Sequence, residues 1–154
     1  MRKHHTYKIK RVVIHFLRPL IENCVFILGF QRASLYRFIG YKNIGKDCFI
    51  GTNVYLDEVN PLGIHIGNGC TITRGGGILS HFYNSHSYKW YSADVFIEDN
   101  VFVGCNAISC KEIKIGKNTI IGAGAILNKD CEENSVYAGV PAKKVGVHTG
   151  RYFF

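Results

Sequence analysis

Ile115-Gly116-Lys117-Asn118-Thr119-Ile120 and Ile121-Gly122-Ala123-Gly124-Ala125-Ile126 are consecutive six-residue units built alike: an aliphatic opener, then glycine, with a small or β-branched residue four places after the opener. The same unit runs back through Ile97-Glu98-Asp99-Asn100-Val101-Phe102 and Val103-Gly104-Cys105-Asn106-Ala107-Ile108. It is present again at Ile44 to Phe49, Ile50 to Tyr55 and Ile66 to Thr71, on either side of an irregular stretch from Val59 to His65. Short strands repeated at this period stack coil upon coil with every opener turned into one interior, which predicts an all-β solenoid, a parallel β-helix. Glycine in second place suits the tight corner that follows. A β-sandwich would space its strands at about 8 to 12 residues, and that period is absent.

Around this core the chain is unevenly charged. The 154 residues are 47% hydrophobic and 19% charged with a net charge of +8, as expected of one globular domain and not of a disordered chain. Residues 1–42 hold nine basic residues against one acid, Glu22, so the whole net charge belongs to this segment. No recognisable nucleic-acid module accompanies it, and the asymmetry points to an anionic membrane surface. Val12, Val13, Phe16, Leu17, Leu20, Ile21, Cys24, Val25 and Leu28 fall at helical spacing, interrupted by Pro19. Such a helix either caps the solenoid or lies in a membrane interface. The expected organisation is a basic helical segment at 1–43, the β-helix at 44–146 with a loop at 79–94, and a tail at 147–154. No apolar stretch reaches the roughly 20 residues of a bilayer span, and a secretory leader is not evident, so a cytoplasmic protein, peripheral at most to the inner face of the membrane, is expected. Six cysteines without C-x-x-C pairing (Cys24, Cys48, Cys70, Cys105, Cys110 and Cys131) read as reduced thiols.

The hexads, followed by Val136-Tyr137-Ala138-Gly139-Val140-Pro141-Ala142-Lys143, resemble the left-handed β-helix acyltransferases, in particular the galactoside, maltose, antibiotic and capsule O-acetyltransferase branch. The resemblance implies a three-sided prism with about 18 residues per coil, wound left-handed. It further implies a homotrimer with sites between subunits, and acetyl-CoA as acyl donor with no metal. Carried over position by position, Cys105, Ala123, Asn128, Lys129 and Lys143 become the donor contacts, with the lysines facing the phosphates.

The hexads break between Ile78 and Val95 into Leu79-Ser80-His81-Phe82-Tyr83-Asn84-Ser85-His86-Ser87-Tyr88-Lys89-Trp90-Tyr91-Ser92-Ala93-Asp94. A long insertion in a rigid repeat scaffold usually carries function. The family places its catalytic histidine where a coil enters such a loop, so the resemblance makes His81 the general base. A hydroxyl is a weak nucleophile at neutral pH, and an imidazole near pKa 6.5 can take its proton as the oxygen attacks a thioester. Asn53 is matched to the family's oxyanion-stabilising asparagine. Tyr83, His86 and Trp90 are expected to touch the acceptor. Asp57, and Glu58 beside it, either contact an acceptor hydroxyl or orient the imidazole. The expected activity is therefore transfer of acetyl to a saccharide hydroxyl, in surface-polysaccharide synthesis. Two other readings stand beside it: a zinc site of carbonic-anhydrase type from His65, His81 and His86, and a non-catalytic membrane-associated scaffold.

Overall fold

The computed structural model describes residues 16–17, 19–20 and 29–150. Most of the apolar face at Val12 to Leu28, and with it the expected membrane contact of residues 1–42, lies outside the described residues. No described helix is long and apolar enough to cross a membrane.

Three parallel sheets form the walls of a triangular solenoid. The first face stacks β1 (Phe49–Ile50), β4 (Thr71–Ile72), β9 (Phe102–Val103), β12 (Ile120–Ile121) and β14 (Ser135–Ala138). On the second are β2 (Tyr55–Leu56), β5 (Gly77–Ile78), β10 (Ile108–Ser109) and β13 (Ile126–Leu127), and on the third β3 (Ile64–Ile66), β8 (Val95–Ile97) and β11 (Lys114–Ile115). Ile108 pairs with Ile126 and Phe102 with Ile120, 18 positions on in both cases, so the hexads count three to a rung. The openers Ile50, Leu56, Ile72, Ile78, Val103, Ile115, Ile121 and Leu127 are all buried in one continuous core.

Second-place glycines are explained by the neighbouring rung more than by the corner itself. A Cβ at Gly104 would stand 2.6 Å from the backbone nitrogen of Ala123, and one at Gly45 would stand 2.5 Å from the carbonyl of Gly67. The corner residues proper take the left-handed backbone. Asn53, Asn100, Asn106, Asn118 and Asn134 all have φ between 53° and 58°, a region that asparagine tolerates better than most side chains.

An end rung has strand carbonyls with no preceding rung to donate to them. Here α1 (Gly29–Ile39) covers them, burying Gly29, Arg32, Ala33, Tyr36 and Ile39 at helical spacing. Arg32 donates to Ile50 O at 3.3 Å, Tyr36 to Val54 O at 3.3 Å, and Tyr41, just beyond the helix, to Leu56 O at 2.9 Å. Arg37 reaches Gly45 O at 2.6 Å. The cap thus uses residues beyond the Val12 to Leu28 pattern, and its polar side chains serve as backbone donors.

The parallel stacking stops at β14, and β15 (Lys143–Val147) folds back antiparallel onto it.

Candidate active site

The rung that carries β5 and β8 is longer than the others: Gly77 pairs with Ile108, 31 positions on. The extra residues, expected as a loop, form an antiparallel hairpin of β6 (His81–Asn84) and β7 (Lys89–Ser92). Alternation explains it. Phe82 and Tyr91 pair on one face with ring centroids 5.6 Å apart, Phe82 being buried, while Tyr83 and Trp90 pair on the other at 5.3 Å. Asn84 closes the turn, its Oδ1 accepting the backbone N–H of His86 at 2.9 Å and of Ser87 at 3.0 Å.

His81 is the first residue of the hairpin, on the same face as Tyr83 and Trp90. Its ring lies 5.3 Å from that of Trp90, and its side chain is 25% exposed. Behind it is Asp57, at the same edge of the prism one rung earlier and fully buried. Asp57 Oδ2 accepts the backbone N–H of Ser80 at 2.8 Å, that of His81 at 2.9 Å, and His81 Nδ1–H at 2.5 Å. Oδ1 accepts Val59 N–H at 2.9 Å. A buried carboxylate is tolerated because these donors replace its lost hydration. With Nδ1 held as a donor, the imidazole keeps Nε2 as its acceptor, on the ring edge away from Asp57.

Of the two roles expected of Asp57, acceptor contact has no exposed surface to make it, and the carboxylate instead meets the imidazole, as the other reading had it. Asn60, which the sequence reading passed over, braces the hairpin base. Its carbonyl accepts Ser80 Oγ–H at 2.8 Å, and its Nδ2 reaches Ser80 O and Ala93 O at 3.5 and 3.4 Å. The only sequence signal for it is Asn60-Pro61, a turn dipeptide inside the irregular stretch.

Asn53 is exposed at a left-handed corner, and no hydrogen bond joins it to His81; the backbone there accounts for asparagine without reference to catalysis. His86 sits at the hairpin turn, well along the strand from His81, and His65 lies on the third face, with Nε2 3.1 Å from Asp94 Oδ2 and its ring stacked on Phe96 at 4.5 Å. Among the described residues no group of three or more His, Cys, Asp or Glu side chains is placed to hold a metal ion. Tyr83 and Trp90 are 50% and 69% exposed, an aromatic shelf beside the imidazole.

The five residues matched to donor contacts separate into three places. Cys105 and Ala123 are exposed on successive rungs at the edge between the first and second faces, where Gly124 N–H donates to Cys105 O at 2.7 Å. Asn128 and Lys129 follow β13 at the edge between the second and third faces, the edge from which the hairpin departs. Lys143 is in β15, beside Ala138. The second face lies between the two edges, and one chain does not gather these residues on a single edge.

A family model described as the hexapeptide repeat of succinyl-transferase matches residues 43–75 and 94–129, leaving out the hairpin. A galactoside O-acetyltransferase of Lactococcus lactis subsp. lactis (strain IL1403) is 32% identical over 126 residues, 78% of this chain and 58% of the relative, so the chain spans little more than half of that protein. Among solved structures, a galactoside acetyltransferase in complex with coenzyme A superposes with a TM-score of 0.69 at 23% identity, covering 100% of this chain and 90% of the other. The polySia-specific acetyltransferase NeuO superposes with a TM-score of 0.58 at 28% identity, covering 71% and 50%. The solenoid is the left-handed parallel β-helix, and its rungs are built from the hexapeptide repeats found in these similar acetyltransferases.

Proposed function

We propose that the protein transfers acetyl from acetyl-CoA to a hydroxyl of a saccharide, with His81 as general base. The observation that carries this reading is a partly exposed imidazole whose Nδ1 is fixed on a buried carboxylate beside an aromatic shelf. In the step this arrangement suits, the acceptor oxygen attacks the thioester carbonyl carbon as His81 Nε2 takes its proton. The tetrahedral oxyanion then collapses, the carbon–sulfur bond breaks, and the proton passes from Nε2 to the departing thiolate of coenzyme A. Asp57 holds the ring and stabilises the imidazolium between the two events. Transfer is direct, without an acyl-enzyme.

Tyr83 and Trp90 supply flat apolar surface of the kind a sugar ring packs against. The relatives named for galactoside and polySia acetylation support a glycan acceptor, and a surface polysaccharide or its precursor is the acceptor we favour. We also favour a homotrimer, since a groove between copies would reunite the donor contacts now split among three places on one prism. Use of acetyl-CoA fits a cytoplasmic reaction.

The test is an acceptor screen on the purified chain with acetyl-CoA, scored by release of free thiol. His81→Ala should lower turnover by about 10²-fold or more with acetyl-CoA binding retained. Turnover near that of the unmodified chain in this variant, or thiol release with no saccharide above the uncatalysed rate, would overturn the reading.

A further inference from the structure

Between regular rungs, the residue after each opener donates its N–H to the carbonyl of the opener on the next rung. Gly51 donates to Ile72 O, Thr73 to Val103 O, Gly104 to Ile121 O and Cys110 to Leu127 O, all at 2.8 to 3.0 Å. Leu79 departs from this rule, because the chain leaves the rung there to enter the hairpin. Its N–H ends on the side chain of the next opener, Ser109 Oγ, at 3.2 Å.

Ser109 is the opener of the second face between Ile78 and Leu127, with which it pairs on either side, and it is 1% exposed. A hydroxyl among aliphatic side chains costs free energy unless it makes a hydrogen bond that they cannot. Here it accepts the one N–H that the departing strand takes away from its regular acceptor. The next two N–H groups along the chain, of Ser80 and His81, are those that converge on Asp57 Oδ2.

We propose that Ser109 is a positioning residue for His81. Its hydroxyl sets the direction in which the chain leaves the prism at Leu79, so that Ser80 N–H, His81 N–H and the imidazole Nδ1–H arrive together at one buried carboxylate oxygen. An aliphatic opener would strand Leu79 N–H and let this exit turn. The proposal rests on His81 being the base for its kinetic consequence, but its structural consequence can be read without any activity.

The test uses Ser109→Ala, the near-isosteric Ser109→Cys with its weak sulfur acceptor, and Ser109→Thr, which restores the hydroxyl. The first readout is the downfield proton resonance of His81 Nδ1–H, assigned by its loss in His81→Ala and in Asp57→Asn. It should move upfield or broaden in the alanine and cysteine variants and be retained in the threonine variant. The second is kinetics. In Ser109→Ala, kcat should fall about tenfold with the KM for acetyl-CoA unchanged, and Ser109→Ala combined with Asp57→Asn should be no slower than Asp57→Asn alone. An unshifted resonance in Ser109→Ala, or a kcat loss that multiplies with Asp57→Asn, overturns the proposal. If Ser109→Ala does not fold, Ser109→Cys decides by the same criteria. Should the chain release no thiol with any acceptor, the general-base reading fails while the resonance still decides the role of Ser109.

Discussion

Because Asp57 holds Nδ1, the two nitrogens of His81 have different work, and a change of one atom at position 57 separates them. In Asp57→Asn the carboxamide can turn an N–H₂ toward Nδ1, which favours the tautomer with its proton on Nε2, where an acceptor is needed. We expect kcat to fall by about 10²-fold or more, measured as thiol release; a loss of less than threefold would show that the carboxylate is dispensable. Trp90→Ala should raise the KM for the acceptor several-fold and leave that for acetyl-CoA unchanged, and an unchanged acceptor KM would remove the shelf from the binding site. The place of His81 at the root of the insertion was legible from Leu79-Ser80-His81-Phe82-Tyr83 at the break in the hexads, and its proposed role came from the family resemblance. For Asp57 the sequence offered two roles, acceptor contact or orientation of the imidazole, and could not choose between them, since it meets His81 across 24 residues that include an irregular turn, and only the stacked rungs bring the two together.

The hairpin shows how an element can be hidden by its position. Phe82 with Tyr91 and Tyr83 with Trp90 obey the period of two that marks a strand, but the same residues read as a cluster of aromatics once the six-residue rhythm has stopped. α1 was obscured for a different reason. Its buried face contains Arg32 and Tyr36, polar residues that dilute the hydrophobic stripe, and their task of covering strand carbonyls has no periodicity of its own. Tyr41→Phe removes the donor to Leu56 O and should destabilise the fold by about 1 kcal/mol, a drop of roughly 2 to 4 °C in Tm for a chain of this size. A Tm unchanged in calorimetry would mean that the first rung does not need this cap. By contrast the rungs themselves were legible down to their length, because each opener must face the core and each second-place glycine must admit the backbone of the next rung.

For the molecule as a whole, thiol reactivity reports the packing and tests the proposed donor groove. Cys48, Cys70 and Cys131 are buried, Cys105 and Cys110 are exposed, and all five are free. Burial, aided by the charge of Asp130, pushes the Cys131 thiol up to about 12, so near neutral pH it has almost no thiolate. In the native protein, iodoacetamide should modify Cys105 and Cys110 well before Cys131, as read by peptide mass mapping. If acetyl-CoA lies along the Cys105 and Ala123 edge, saturating acetyl-CoA should slow alkylation of Cys105; an equal rate with and without it would place the donor elsewhere. The reversed last strand bears on a hazard common to all such stacks. A prism of parallel rungs ending in an open parallel edge could accept another molecule's first rung and grow into a filament. The antiparallel direction of β15 denies an incoming chain the parallel register that such templated growth along the first face requires.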